Sequence, residues 1–151
     1  ASRASALVLR LVTTGADFIW WTLEKCAPSV LVRFVGVPPP VLAAASESER
    51  RRVMDIIRRA QPLALRTRGI AIDSQPDADQ PFERITAPTL VITARDDLFN
   101  TLPAARHAAG AIPGAQLVVY DTGGHLLAGR ADDAARAVRE FLAVQARRCP
   151  R

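Results

Sequence analysis

Two residues of this 151-residue sequence, Asp97 and His125, have the types and placement needed for acid–base chemistry. Asp97 ends the run Ala94-Arg95-Asp96-Asp97, and His125 ends the run Asp121-Thr122-Gly123-Gly124-His125. A carboxylate that accepts the Nδ1 proton of an imidazole fixes its tautomer and leaves Nε2 free to act as a general base. The pair therefore predicts proton transfer at a bound reactant.

Two short apolar segments directly precede these runs, Thr89–Ala94 and Gln116–Tyr120. Both are apolar on both alternations, which is typical of buried parallel strands. A helix over Pro103–Ala111 is expected between them, opened by its proline. The carboxyl ends of parallel strands lie at the same edge of a sheet, so Asp97 and His125 are expected to be neighbours there.

The final segment is predicted to be a helix capped by Asp132, with an apolar stripe of Val138, Phe141 and Leu142. The first half of the chain, Ala4–Arg68, has helical periodicity and no convincing strand. Its expected elements are, in chain order, a helix over Phe18–Cys26 capped by Asp17, a short helix from Pro28 to Gly36, a helix-free stretch at Pro38–Pro40, and an amphipathic helix that opens with a Ser46/Glu49 capping box and stops before Pro62. The polar segment Asp73–Pro81 is interpreted as a surface connection, so residues 1–80 form one region and residues 81–151 another.

Charge and composition exclude several classes of protein. The net charge is +5, but the arginines at positions 50, 51, 52, 58 and 59 alternate with acidic residues, and pairs such as Glu47–Arg51 and Asp55–Arg59 predict a solvated helix face. No nucleic-acid partner is therefore expected. Arg10 and Asp17 interrupt the apolar stretch 6–23, so no membrane span is expected.

The two cysteines are too few for a disulfide framework, and a reducing cytoplasm is the expected location. The sequence starts at Ala1 without Met and without a secretory signal, which predicts a processed product or a fragment. With two histidines and two dispersed cysteines, no metal-ligand spacing is present, and no cofactor is expected.

The stretch Ile85–Leu142, which contains ITAPTLVITARDDLFN, AIPGAQLVVYDTGGHLL and VREFL, resembles the C-terminal part of the α/β-hydrolase superfamily. The resemblance implies an α/β fold: a partial α/β-hydrolase fold with a helical cap over residues 1–80, followed by a βαβ unit and a C-terminal helix. It implies Asp97 as catalytic acid and His125 as catalytic base. The sequence departs from the family at Ala94, where Gly is usual, and at Asn100 and Thr101, where Pro is usual, so Asp96 remains an alternative acid.

The sequence contains no G-x-S-x-G turn, and no equivalent with Cys or Asp at its centre. The resemblance therefore implies the C-terminal part of a serine-type hydrolase that acts on a small ester, lactone or related carbonyl substrate. Its nucleophile would lie in a missing N-terminal half, and the chain alone is expected to self-associate. The alternatives are a non-catalytic, hydrolase-like binding or scaffold protein and, in third place, an Arg-rich nucleic-acid binder.

Four aromatic residues of the first half, Phe18, Trp20, Trp21 and Phe34, are candidates for the core or for the apolar wall of a substrate pocket. Trp20 and Trp21 are adjacent and cannot share a helix face, so one is expected in the core and the other at a cleft or partner. His107 is predicted to be a solvated bystander and Cys26 a structural residue.

Overall fold

A computed structural model describes residues 17–66, 69–70, 72 and 81–148 of the chain. Its helices include α1 (Asp17–Cys26), α2 (Pro28–Phe34), α3 (Pro39–Ala44), α4 (Glu47–Arg59), α5 (Leu102–Ala111) and α6 (Ala131–Arg148), and its strands are β1 (Leu90–Ala94) and β2 (Gln116–Tyr120). The predicted connection, apart from Pro81, and the expected helical segment before residue 17 lie outside the described residues. None of the helices in this described part is long and apolar enough to cross a membrane.

The three prolines at positions 38–40 contradict the prediction of a helix-free stretch. Pro38 is the extended N-cap residue of α3, and Pro39 and Pro40 form its first turn. The first N–H groups of a helix have no intrahelical acceptor, so proline loses no hydrogen bond there, and its fixed φ suits the helix. The proline run starts a short helix whose Leu42 is buried in the core.

Helix α4 begins as predicted, because Ser46 Oγ accepts the backbone N–H of Glu49 at 3.3 Å. The second hydrogen bond of the predicted capping box, from the backbone N–H of Ser46 to the Glu49 carboxylate, is wrong. The Glu49 carboxylate does not return to Ser46 but accepts the backbone N–H of Gly129 at 2.9 Å, 80 residues further along the chain. A group that was expected to cap its own helix therefore ties that helix to the second half of the protein.

The arginine-rich face of α4 is largely solvated and paired, although two details of the prediction are wrong. Asp55 pairs with Arg58 at 3.0 Å instead of with Arg59. Arg58 also contacts Glu24 of α1 at 2.9 Å, and this hydrogen bond lowers the pKa of Glu24 against the opposing effect of burial. Arg52 is only partly exposed and donates to the carbonyl oxygen of Leu126.

A single apolar cluster underlies the helical region. Trp20 is 1% exposed and packs edge-to-face on Phe34, with ring centroids 5.4 Å apart. The other buried members come from the stretch between the start of α2 and the end of α4 and from the segment after His125: Leu31, Val32, Val37, Leu42, Val53, Ile57 and Ala128. Because Ala128 belongs to this cluster, the segment that carries the histidine is packed onto the helical region.

The strands form the predicted βαβ unit. β1 and β2 pair in parallel from Leu90 with Gln116 to Ala94 with Tyr120, and α5 connects them. α6 follows but starts at Ala131, so Asp132 lies in its first turn and is not its cap as predicted. A carboxylate in the first turn still interacts favourably with the helix dipole. Of the expected apolar stripe, Val138 and Leu142 remain 39% and 57% exposed.

Candidate active site

The structure brings Asp97 and His125 together at the carboxyl edge of the sheet. Asp97 follows β1 in the acid loop, residues 95–101, and His125 follows β2 in the histidine loop, residues 121–130. Asp97 Oδ2 lies 2.9 Å from His125 Nδ1. An ionised carboxylate can only accept, which assigns the shared proton to Nδ1, and in a neutral imidazole this leaves the lone pair of Nε2 available. This is the arrangement of a general base with its orienting acid.

The carboxylate of Asp97 is held by further donors. The backbone N–H of Phe99 donates to Oδ1 at 2.8 Å, and the Thr101 hydroxyl donates to Oδ2 at 2.5 Å. The Asp97 side chain is 3% exposed, whereas that of His125 is 44% exposed. The Asp97 carboxylate is therefore buried and held by several donors, and the imidazole of His125 faces solvent.

Asp96, the alternative acid, has a different set of partners. Its Oδ1 accepts the backbone N–H of Gly124 at 2.8 Å, and its Oδ2 accepts that of Gly123 at 3.2 Å. Both oxygens are thus engaged with the backbone immediately before His125. By geometry Asp97 is the partner of the imidazole, and Asp96 secures the turn that presents it.

Gly124 is required where the histidine loop crosses the segment before α3. Its φ is +60°, and a Cβ there would lie 2.7 Å from the Cα of Val37 and 2.9 Å from the carbonyl oxygen of Gly36. Any larger residue would push the two segments apart. The predicted role of this glycine in a sharp turn is therefore joined by a close backbone approach that the sequence did not show.

Several contributors to the site were missed by sequence reasoning. Phe99 packs its ring edge-to-face on the imidazole, with centroids 4.7 Å apart. Thr101 appeared only as a departure from the family, yet its hydroxyl binds Asp97 and lies 3.1 Å from the Thr93 hydroxyl. Gly36 and Arg52 approach from the helical region. A hydroxyl side chain four residues after Asp97 could have indicated the role of Thr101. The contacts of Gly36 and Arg52 join residues far apart in the sequence, so no local pattern indicated them.

A cleft of about 400 Å³ lies beside the pair. Its lining includes His125, Asp97, Phe82 and Thr101, together with Ile92, Thr93, Ala94, Ala104, Ala105, Ala108, Gly124 and Leu127. No serine or cysteine is among these lining residues. The lining hydroxyls are those of Thr93 and Thr101, which bind each other, and Thr101 also binds Asp97.

The four predicted substrate-binding aromatics lie elsewhere. Trp20 and Phe34 belong to the helical core, while Trp21 is 51% exposed and stacks on Phe18, itself 72% exposed, at 5.9 Å. The expectation that one of Trp20 and Trp21 lies in the core is confirmed for Trp20, and the contact of Trp21 with a substrate cleft or a partner stays a prediction. None of the four lines the cleft beside His125, so their contact with a substrate stays a prediction.

The sequence analysis also assigned His107 as a solvated bystander and Cys26 as a structural residue. His107 is exposed and contacts the Phe82 ring edge-to-face at 5.8 Å. Cys26 lies at the last position of α1 and is exposed. This exposure contradicts a packed structural role. In the described part of the chain, no group of three His, Cys, Asp or Glu residues could hold a metal ion.

The chain is similar to known proteins over the part that carries this site. The family model described as "TAP-like protein", of the α/β-hydrolase superfamily, matches residues 66–147, more than half of the chain. Over 72 residues the chain is 40% identical to the protein named "Putative carbamate hydrolase RutD" of Pseudomonas syringae pv. syringae (strain B728a). That match covers 46% of the chain but 27% of the relative, so the chain matches about a quarter of the relative's length. No solved structure matches the chain.

Proposed function

The chain belongs to the TAP-like family of the α/β-hydrolase superfamily, and from this premise we propose that it supplies the acid and the base of a serine-type hydrolase. The observation that carries the proposal is the 2.9 Å contact of the buried Asp97 carboxylate with Nδ1 of the exposed His125. The nucleophile would come from a preceding part of a longer protein. In that protein residues 1–80 form the cap region, and residues 81–151 form the end of the core.

The proposed chemistry uses this contact in two stages, acylation of the serine and hydrolysis of the acyl-serine. His125 Nε2 removes the proton of a serine hydroxyl as the serine oxygen attacks the substrate carbonyl carbon, and Asp97 stabilises the imidazolium that forms. The imidazolium then donates this proton to the leaving group, and the acyl-serine remains. In the second half of the reaction, water attacks the acyl carbon while His125 accepts a proton from the water. His125 then returns this proton to the serine oxygen, and the acid product leaves. Asp97 stays ionised throughout.

The substrate class that fits this chemistry is a small ester, lactone or related carbonyl compound. The name of the relative extends this class to carbamates, whose carbonyl carbon is open to the same attack. The exposed pair Phe18 and Trp21 supports an apolar wall on the cap side, because stacked aromatic rings present a flat apolar surface. In the proposal, Trp20 and Phe34 support that wall from the core. No cofactor takes part.

The test is ester hydrolysis by the longer protein. With p-nitrophenyl esters of short acids, wild type should turn over, and His125→Gln should lose activity by about 10³-fold or more because the base is removed. His107→Gln is the matched control, because His107 is exposed and lies on α5 outside the acid–base pair. Equal activity of wild type and His125→Gln would refute the proposal and favour a non-catalytic scaffold with a hydrolase-like shape.

A further inference from the structure

Two charged residues of helix α4 bind the backbone of the histidine loop on the C-terminal side of His125. Glu49 Oε2 accepts the backbone N–H of Gly129 at 2.9 Å. Arg52 donates from its guanidinium to the carbonyl oxygens of Leu126 at 2.9 Å and Leu127 at 3.4 Å. These contacts span 74 to 80 positions in sequence and fall within four residues of His125.

The two residues also hold each other. Arg52 donates to both carboxylate oxygens of Glu49 at 3.0 Å, which is a bidentate pair with fixed geometry. The side chains are 34% and 18% exposed, so water screens the pair only partly. The hydrogen bond from Arg52 and the backbone N–H of Gly129 together lower the pKa of Glu49 against the effect of burial. Glu49 is therefore ionised when it binds the loop.

The two arginines that precede Arg52 on the same helix, Arg50 and Arg51, bind other partners. Arg51 is 71% exposed and contacts Glu47. Arg50 pairs with Glu47 and caps the carbonyl oxygens of Ala43 and Ala45. Both thus stabilise the helical region itself. Arg52 differs because its bonds run to the backbone that carries the histidine.

We propose that Arg52 and Glu49 are positioning residues for the catalytic base: the pair fixes the histidine loop on the side after His125, as Asp96 fixes it on the side before. The role rests on the proposed function. Because hydrogen bonds hold the loop on both sides of His125, its Nε2 atom keeps one position and one direction relative to the reacting atoms. Because Arg52 and Glu49 belong to the cap region, the placement of the cap also sets the placement of the base.

The experiment uses the longer protein with Arg52→Met, which keeps an apolar stem but removes the donors. Two quantities are measured: kcat and KM for an ester substrate, and hydrogen exchange of the segment 122–130 relative to the strands 90–94 and 116–120. We expect kcat to fall by about tenfold or more with KM nearly unchanged, because small misplacements of a catalytic group reduce the rate of the chemical step. Exchange in 122–130 should rise while that in the strands stays the same.

Arg52→Lys, which keeps the charge and can donate to one carbonyl, should recover part of the lost kcat. Arg51→Met is the matched control and should leave both quantities as in wild type. The proposal is overturned if Arg52→Met leaves kcat or the exchange of 122–130 unchanged, or if Arg51→Met has the same effect. Should Arg52→Met also loosen the strands, Glu49→Gln is judged by the same criteria, because it weakens the pair without removing a large side chain.

Exchange needs no turnover, so the two proposals fail separately. A wild-type protein without ester hydrolysis would refute the proposed function, while the exchange comparison would still decide whether Arg52 holds the loop.

Discussion

The carbonyl oxygen of Gly36 accepts the backbone N–H of His125 at 3.0 Å, and the same oxygen accepts the N–H of Leu98 at 3.1 Å. One carbonyl of the helical region therefore joins the acid loop to the histidine loop. The distance between Asp97 and His125 depends on this shared acceptor as well as on the parallel pairing of β1 and β2. The helical region is thus part of the framework of the site.

Gly36→Ala tests this framework. Gly36 has a φ of +79°, and a Cβ there would lie 2.6 Å from the Cβ of His125. The backbone must shift, and we expect a loss of roughly 1–3 kcal/mol in the free energy of unfolding, as for other strained positions. Denaturant unfolding measures it.

Gly110→Ala is the matched control for that substitution. Gly110 lies in α5, and apart from its chain neighbours and the backbone of its own helix no atom lies within 4 Å of a Cβ placed there. Alanine is the better helix former, so this variant should be more stable by about 0.5–1 kcal/mol. If both glycine variants changed stability in the same direction, the packing of Gly36 against His125 would not be the cause.

Asp97→Asn and Asp96→Asn separate the two acidic residues of the acid loop. An asparagine at 97 presents an amide in place of an acceptor-only carboxylate, which favours the wrong imidazole tautomer, and kcat of the longer protein should fall by about 10⁴-fold. At 96 a carbonyl oxygen remains for Gly124, so the loss should be about tenfold. Steady-state ester hydrolysis checks both. A larger loss for Asp96→Asn would make Asp96 the acid.

The stability of the protein should fall with acid in part through Glu49. Its pKa in the folded protein lies below the ordinary value of 4.5, chiefly because of the hydrogen bond from Arg52. The stabilisation is therefore fully present above about pH 4.5 and is lost as the pH falls through the lowered pKa. The difference in unfolding free energy between wild type and Glu49→Gln should shrink over that range.

The control for the pH series is Glu47→Gln, since Glu47 pairs with Arg50 on the same helix but is 65% exposed. Solvent screens such pairs, so its pH-dependent difference should be smaller. A difference for Glu49→Gln that stays constant from pH 7 to about pH 3 would contradict the assignment.

The chain by itself is expected to self-associate. In the described residues β1 and β2 pair only with each other, so each has an edge with unpaired backbone groups. Leu98 and Phe99 are 41% and 53% exposed beside the site. Sedimentation should show dimers or larger species, and the preceding part of the protein should restore a single species. A monomer with one sharp unfolding transition would contradict this.

The second half of the chain was readable from sequence because its signals are local. Apolar runs fix β1 and β2, and the residues that follow parallel strands must share one edge, which brought Asp97 and His125 together. The contacts of Gly36, Glu49 and Arg52 were not readable, because they join positions up to 80 residues apart. The capping-box spacing favoured a local partner for Glu49, the backbone N–H of Ser46. Glu49 instead binds the backbone N–H of Gly129, which lies next to it because Ala128 packs into the helical core.

The most direct test of the acid–base assignment is covalent labelling of the longer protein with a fluorophosphonate, followed by peptide mass spectrometry. Attack on phosphorus by a serine needs the same base as attack on a carbonyl carbon. We predict one adduct on a serine outside these 151 residues, absent in His125→Gln and retained in His107→Gln. An adduct within the chain, or labelling that survives His125→Gln unchanged, would contradict the account.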